Sequence, residues 1–146
     1  MKKVLPYFKG KVSTNVGDMR LKALNLKPGD WIYGHLDWDN HNENKELRAW
    51  INGIEVDVQT IEWSTGQKDK NGKDVFGGDI LFLDDGAYGL IVWNSKTSAF
   101  RIITQSRCIH NLSLCYLYEV IGNKYDNRDI FKDILKKRIK EIQERR

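Results

Sequence analysis

A chain of 146 residues, 40% apolar and 30% charged, with five Trp, six Tyr and five Phe as large anchors, is sized for one hydrophobic core and argues against disorder away from its ends. Its formal net charge of +4 is local: residues 128–146 hold eight Lys/Arg against four Asp/Glu, and everything before them balances at sixteen against sixteen. That excess falls short of the dense patches of dedicated nucleic-acid binders, and two cysteines in a chain of this size do not make a disulfide framework.

The opening Met1-Lys2-Lys3-Val4-Leu5-Pro6 is basic but runs into Tyr7-Phe8-Lys9-Gly10-Lys11 without the apolar core of a signal peptide. No run reaches the roughly 18 apolar residues of a membrane span. The expected location is the cytoplasm, with no membrane partner and with Cys108 and Cys115 reduced. Residues 1–20 have no clear period and read as an extended lead-in.

Leu26-Lys27-Pro28-Gly29-Asp30 is a turn, since Pro presets φ near −65° and Gly accepts positive φ. It launches Trp31–Trp38, which reads as one alternating strand with Ile32, Leu36 and Trp38 on one face and His35 and Asp37 on the other. Asp39–Lys45 has no apolar residue and reads as a solvated loop. Ala49-Trp50-Ile51, Asn52-Gly53 and Ile54–Val58 form a predicted hairpin, because Asn-Gly suits a two-residue turn. Residues 63–80 are turn-rich, with a second Asn-Gly at Asn71-Gly72. Ile80–Leu83, Tyr88–Trp93 and Ala99–Thr104 make a meander, and Leu112–Ile121 supplies one more strand. Beyond Asp126-Asn127 the period changes: Phe131, Ile134, Leu135, Ile139 and Ile142 recur at helical spacing, with Lys132, Lys136 and Lys140 stacked four apart on a neighbouring face.

Within 63–80, Thr65-Gly66, Lys68-Asp69-Lys70-Asn71-Gly72-Lys73-Asp74, Val75-Phe76 and Gly78-Asp79-Ile80 resemble the signature of the YopX family, small proteins of bacteriophages and prophages. Lys27-Pro28-Gly29-Asp30-Trp31-Ile32-Tyr33-Gly34 is similar to that family's first strand, and Glu119-Val120-Ile121-Gly122-Asn123-Lys124-Tyr125-Asp126-Asn127 to its closing strand and turn. The resemblance spans roughly residues 26–127 in the family's order. Gln67 stands where the family has Leu and Gly77 where it has Glu, and the terminal helix is longer and more basic than usual. What the resemblance implies is a mostly β fold with a small SH3-like barrel and a phage origin, with no established activity, cofactor or catalytic residue to carry over. The matching residues Gly66, Asp69, Asn71, Gly72, Gly78 and Asp79 read physically as turn chemistry rather than catalysis.

Several candidate sites follow from residue type and spacing. His35, Asp37, Asp39, His41 and Glu43 would share one face of a continuous strand, about 7 Å apart in steps of two, and two neighbours could chelate a metal. Against this, the spacing fits no established motif and a solvated strand running into a loop explains it. Cys108, His110 and Cys115 offer three zinc ligands without a fourth, and ordinary packing explains cysteines better. Tyr88, Trp93, Phe100 and Arg101 could form a stacking set for nucleic acid, although such residues are more often core.

The expected architecture is mainly β: a small SH3-like barrel or meander with additional N-terminal strands and a C-terminal amphipathic helix. One domain, 1–146, comprises the lead-in 1–20, N-terminal strands 21–62, a barrel-like region 63–125 and a helix 127–144. The expected function is a non-enzymatic phage accessory protein in the host cytoplasm, without cofactor or metal, that binds an unidentified host or phage macromolecule. Alternatives are a nucleic-acid-binding module contacting phosphates through Lys132, Lys136, Lys137, Arg138, Lys140, Arg145 and Arg146, and a metal-dependent enzyme around His35–Glu43. The helix's apolar stripe could be satisfied within the chain or in a homo-oligomer.

Overall fold

The computed structural model describes residues 7–39, 46–83 and 86–144, with side chains among them as far as Lys136. It is mainly β with a curled half-barrel sheet, and the chain divides into two units, residues 1–64 and 65–146.

In the first unit, β1 (Phe8–Lys11) runs antiparallel to β2 (Trp31–Gly34), with Lys9 opposite Tyr33 and Lys11 opposite Trp31. A short helix, α1 (Asp18–Ala23), follows β1 and buries Leu21. The described part of the opening twenty residues is therefore more structured than an extended lead-in. Its period-two pattern was hidden because the inward row Phe8, Gly10, Val12 contains a glycine. A Cβ on Gly10 would lie 3.1 Å from the Val56 Cβ and 3.3 Å from the Ile51 Cδ1, so glycine lets β1 press onto the core. The Lys27–Asp30 turn closes as its residues require: the Lys27 N–H donates to Asp30 Oδ2 at 2.9 Å, and Gly29 takes φ +90°.

Trp31–Trp38 is not one strand. β2 stops at Gly34, and β3 (Leu36–Asp39) pairs instead with β4 (Arg48–Ile51), which pairs with β5 (Ile54–Val56). Gly34 has φ +152°, and the Asn52 side chain, donating to the Tyr33 carbonyl at 2.9 Å, fills the space a Cβ at position 34 would need. The chain changes partners there, which leaves Trp38 51% exposed rather than in a buried row with Ile32 and Leu36. The Asn52-Gly53 hairpin forms as expected, with φ of +52° and +79°. Ala49, Ile51 and Val56 are fully covered, with Phe8, Ile32 and Leu36 packed on them.

β6 (Glu62–Lys68) begins in this unit, where Trp63 and Glu62 lie opposite Phe8 and Lys9. It ends in the second unit beside β7 (Asp74–Phe76). The segment read as turn-rich is thus a β-hairpin with tight connections.

The second unit contains a five-stranded antiparallel sheet, β11-β10-β9-β8-β12, built from β8 (Asp79–Phe82), β9 (Tyr88–Asn94), β10 (Ala99–Ile103), β11 (Cys108–Ile109) and β12 (Glu119–Asn123). Leu81, Ile91 and Ile102 face one cluster with Val75, Leu83, Cys115 and Val120. Ile80, Leu90 and Ile103 face another, which includes Ile134 of α2 (Arg128–Glu144), with Ile130, Phe131 and Leu135 packed on it. Both sheet faces are covered, which is why Ile80–Leu83 and Leu90–Val92 are continuous apolar runs instead of alternating ones. The helix stripe, as far as its side chains are described, is satisfied on this sheet. Leu112–Ile121 is not a strand throughout: Leu112–Leu117 is a 3-10 helix, whose first turn is capped by Asn111 accepting the Ser113 N–H, and β12 starts after it.

Candidate functional site

Two sets of residues combine polar chemistry with defined geometry. The first holds the signature residues of the second unit. Asp69 is buried, and its Oδ1 accepts the N–H groups of Asn71 and Lys73, each at 2.9 Å, while its Oδ2 accepts the Val120 N–H at 2.9 Å. The Gly72 N–H returns to the Asp69 carbonyl at 3.0 Å with Gly72 at φ +80°, so the β6–β7 turn closes around this one carboxylate. Burial alone would raise the Asp69 pKa. The donors Val120, Lys73 and Asn71, with the Lys73 charge, outweigh it and hold the carboxyl below its ordinary range.

Two more backbone bonds run parallel to this link, from the Lys70 N–H to the Tyr118 carbonyl and from the Lys124 N–H to the Gly78 carbonyl, both 2.9 Å. Asp79, also buried, accepts the Phe76 N–H at 2.8 Å across the turn in which Gly78 adopts φ +81°. At the far end of β12, Asn123 accepts the N–H groups of Tyr125 and Asp126 at 2.9 Å, and Asn127 accepts the Asn123 N–H. A side chain on Gly122 would have to displace the Asn127 amide and its bond to the Asn123 N–H. Gly66, at φ +81°, sits inside β6 beside Thr65, whose hydroxyl donates to the Val75 carbonyl at 2.8 Å. These residues form a clamp joining the β6–β7 hairpin to β12. Burial first, then the carboxylates of Asp69 and Asp79, push the Cys115 thiol up to about 11, so it stays neutral.

The second set lies on β1 and β2 in the first unit. Directly opposed residues share a face, so Lys9, Tyr33, Lys11 and Trp31 project to the side away from Phe8, Gly10 and Ile32. The Lys9 ammonium sits 4.4 Å and the Lys11 ammonium 5.3 Å from the centroid of the Trp31 ring. Tyr7 stacks on Tyr33 with centroids 6.4 Å apart and planes inclined by 16°. Glu62, opposite Lys9 on β6, is the acidic neighbour. Tyr33 is 41% exposed, Trp31 and Lys11 are half-buried, and Lys9 is only 5% exposed. These residues were missed in the sequence because Lys9 and Trp31 meet only through strand pairing. The available signal was the alternation of Tyr7, Lys9 and Lys11 with Phe8, Gly10 and Val12.

A separate open groove of about 490 Å³ in the first unit is lined by Asn15, Glu46, Arg48, Glu55 and Asp57 among others. Its charges are engaged with one another: Arg48 donates twice to Glu55, at 3.0 and 2.7 Å, and this bond holds the Glu55 carboxyl below its ordinary range.

Whereas the signature residues meet in the clamp, the metal-ligand and stacking sets read from the sequence are not brought together among the described residues. His35 lies at the junction between β2 and β3, Asp37 and Asp39 face Trp50 and Arg48 of β4, and His41 and Glu43 fall outside the described residues. Among the described residues no three His, Cys, Asp or Glu are grouped to hold a metal. Cys108 Sγ is 3.9 Å from His110 Nδ1, but Cys115 belongs to the cluster on the opposite face of the sheet. The set Tyr88, Trp93, Phe100 and Arg101 is likewise divided. Trp93 and Phe100 pack edge to face at 5.0 Å on one side, while Tyr88 packs on the cluster under α2 and Arg101 opposes Val92 on that same side. Lys132 and Lys136 are exposed on α2; the side chains of Lys137, Arg138 and Lys140, and all of Arg145 and Arg146, lie outside the described residues. Among the described residues no helix is long and apolar enough to cross a membrane.

The family model described as "YopX protein" matches residues 23–132. No curated protein matches the chain. Among solved structures, the crystal structure of protein EF1440 from Enterococcus faecalis is similar over 88% of this chain and 99% of that one, at 20% sequence identity and a TM-score of 0.45.

Proposed function

The chain belongs to the YopX family, and from that premise we propose that it is a phage-derived accessory protein, built on a small SH3-like barrel, that works by binding another macromolecule rather than by catalysis. The observation that supports this reading is how the signature is used. Asp69, Asp79, Asn123 and the glycines between them bond their own backbone, and a carboxylate surrounded by three N–H donors is a poor general base because its proton affinity is lowered. By contrast, the β1–β2 face carries an exposed Tyr33 beside half-buried Trp31 and Lys11, where recognition chemistry is available.

Capture from extract of a host cell tests the proposal. Wild-type protein and the face variant Lys11→Glu are immobilised, and bound material is compared after nuclease and after protease treatment of the extract. Retention of a defined macromolecule by wild type and its loss in Lys11→Glu supports a binding module. No retention of a defined macromolecule by the wild-type protein, or turnover of a small molecule by the purified protein, overturns it.

A further inference from the structure

The β1–β2 face combines two features that recognise different parts of the same ligand. Ammonium groups attract phosphate, and flat π surfaces of accessible Tyr and Trp accept a second planar ring. On this face they alternate by strand pairing: Lys9 beside Tyr33, Lys11 beside Trp31, with Tyr7 continuing the row behind Tyr33. In a duplex the bases are stacked on one another and offer only their edges, so a π platform has nothing to receive. An acidic peptide would use the lysines but not the rings.

Resting on the binding-module reading, we propose that this face binds single-stranded nucleic acid, with a base stacked on the exposed Tyr33 and a backbone phosphate at Lys11. Lys9, almost fully covered, keeps its ammonium 4.4 Å from the Trp31 centroid and so supports the indole rather than meeting the ligand. Lys11 is then the one phosphate contact, so the salt dependence is shallow, a slope of log K against log salt near −0.7. A site formed by the basic helix would contact several phosphates and give a slope several times steeper.

The test is fluorescence anisotropy of a labelled mixed-sequence single strand, as DNA and as RNA, with the matching duplex and polyglutamate as competitors, using the full chain. Tyr33→Ala, which removes the stacking ring, and Lys11→Glu, which reverses the charge at the phosphate, are each expected to weaken single-strand binding about tenfold. Tyr33→Phe, which keeps the ring, retains binding within twofold and guards against a folding defect in Tyr33→Ala. The helix variant Lys132→Glu with Lys136→Glu stays within twofold, and duplex competes at least tenfold less well than single strand. No binding at low salt, loss in the helix variant with retention in the face variants, or competition by polyglutamate equal to that of the oligonucleotide would each overturn the proposal. Failure here alongside Lys11-dependent capture of a protein from extract removes the nucleic acid and leaves the binding module; failure of both removes the parent reading.

Discussion

The clamp around Asp69 and the face around Trp31 are both assembled from short, turn-rich sequence, yet they use polar atoms in opposite ways. In the clamp the buried polar groups turn inward: backbone N–H donors converge on Asp69, on the Asn123 side chain and on Asp79, and Asn123 in turn donates to Asp126 Oδ2 at 3.0 Å. On the face the cations lean on π surfaces at a solvent boundary, and Tyr33 keeps much of its ring exposed. The difference teaches that a recurrent motif need not mark the working surface. The identities of Asp69, Gly72, Gly78 and Gly122 are accounted for by φ, by buried amides and by the close approach of Asn127, whereas no local backbone demand accounts for the lysines and aromatic rings of the β1–β2 face.

That contrast can be broken by mutation, and the largest expected effect is Asp69→Ala. It leaves the amides of Asn71, Lys73 and Val120 without their acceptor inside the unit, which costs about 3 kcal/mol or more in chemical denaturation. Gly122→Ala follows, at about 1–3 kcal/mol, because the added methyl must displace Asn127 and with it the bond to the Asn123 N–H. A third effect is in pH. Asp69 has a folded pKa below its unfolded value of about 3.9, so its contribution to stability is present above that value and is lost as pH falls through the lower folded one. Unfolding midpoints measured between about pH 5 and pH 2 should therefore fall less steeply in Asp69→Asn than in wild type. Smallest is the change on the other side of the comparison: Lys11→Glu removes one cation from the Trp31 ring and costs about 1 kcal/mol or less, although it weakens capture. A loss in Lys11→Glu as large as in Asp69→Ala would erase the distinction between the two regions.

Local chemistry made part of this legible. The turns at Lys27–Asp30 and Asn52-Gly53, the meander from Ile80 to Thr104 and the turn role of Gly72 and Gly78 follow from residues within a few positions of each other. What escaped was made by distance in sequence. Asp69 and Val120 are 51 residues apart, so no local pattern announces that a turn aspartate also holds the start of β12. Gly34 falls inside the run Trp31–Trp38 that reads as one strand, and only Asn52 packed against it reveals a change of sheet. Gly10 interrupted an apolar row that Val56 and Ile51 complete from other strands. The candidate face failed to show for the same reason, since Lys9 and Trp31 meet through the β1–β2 register and neither residue is diagnostic alone.

Amide hydrogen exchange at Lys70, Lys73, Val120 and Lys124 tests most directly whether the signature is a structural clamp. If it is, these four amides open with one common free energy close to that of global unfolding of their unit, and Asp69→Ala lowers all four together. Fast, independent exchange of Val120 and Lys124 in the wild-type protein, unchanged by Asp69→Ala, would contradict it and return the signature residues to the list of candidates for function.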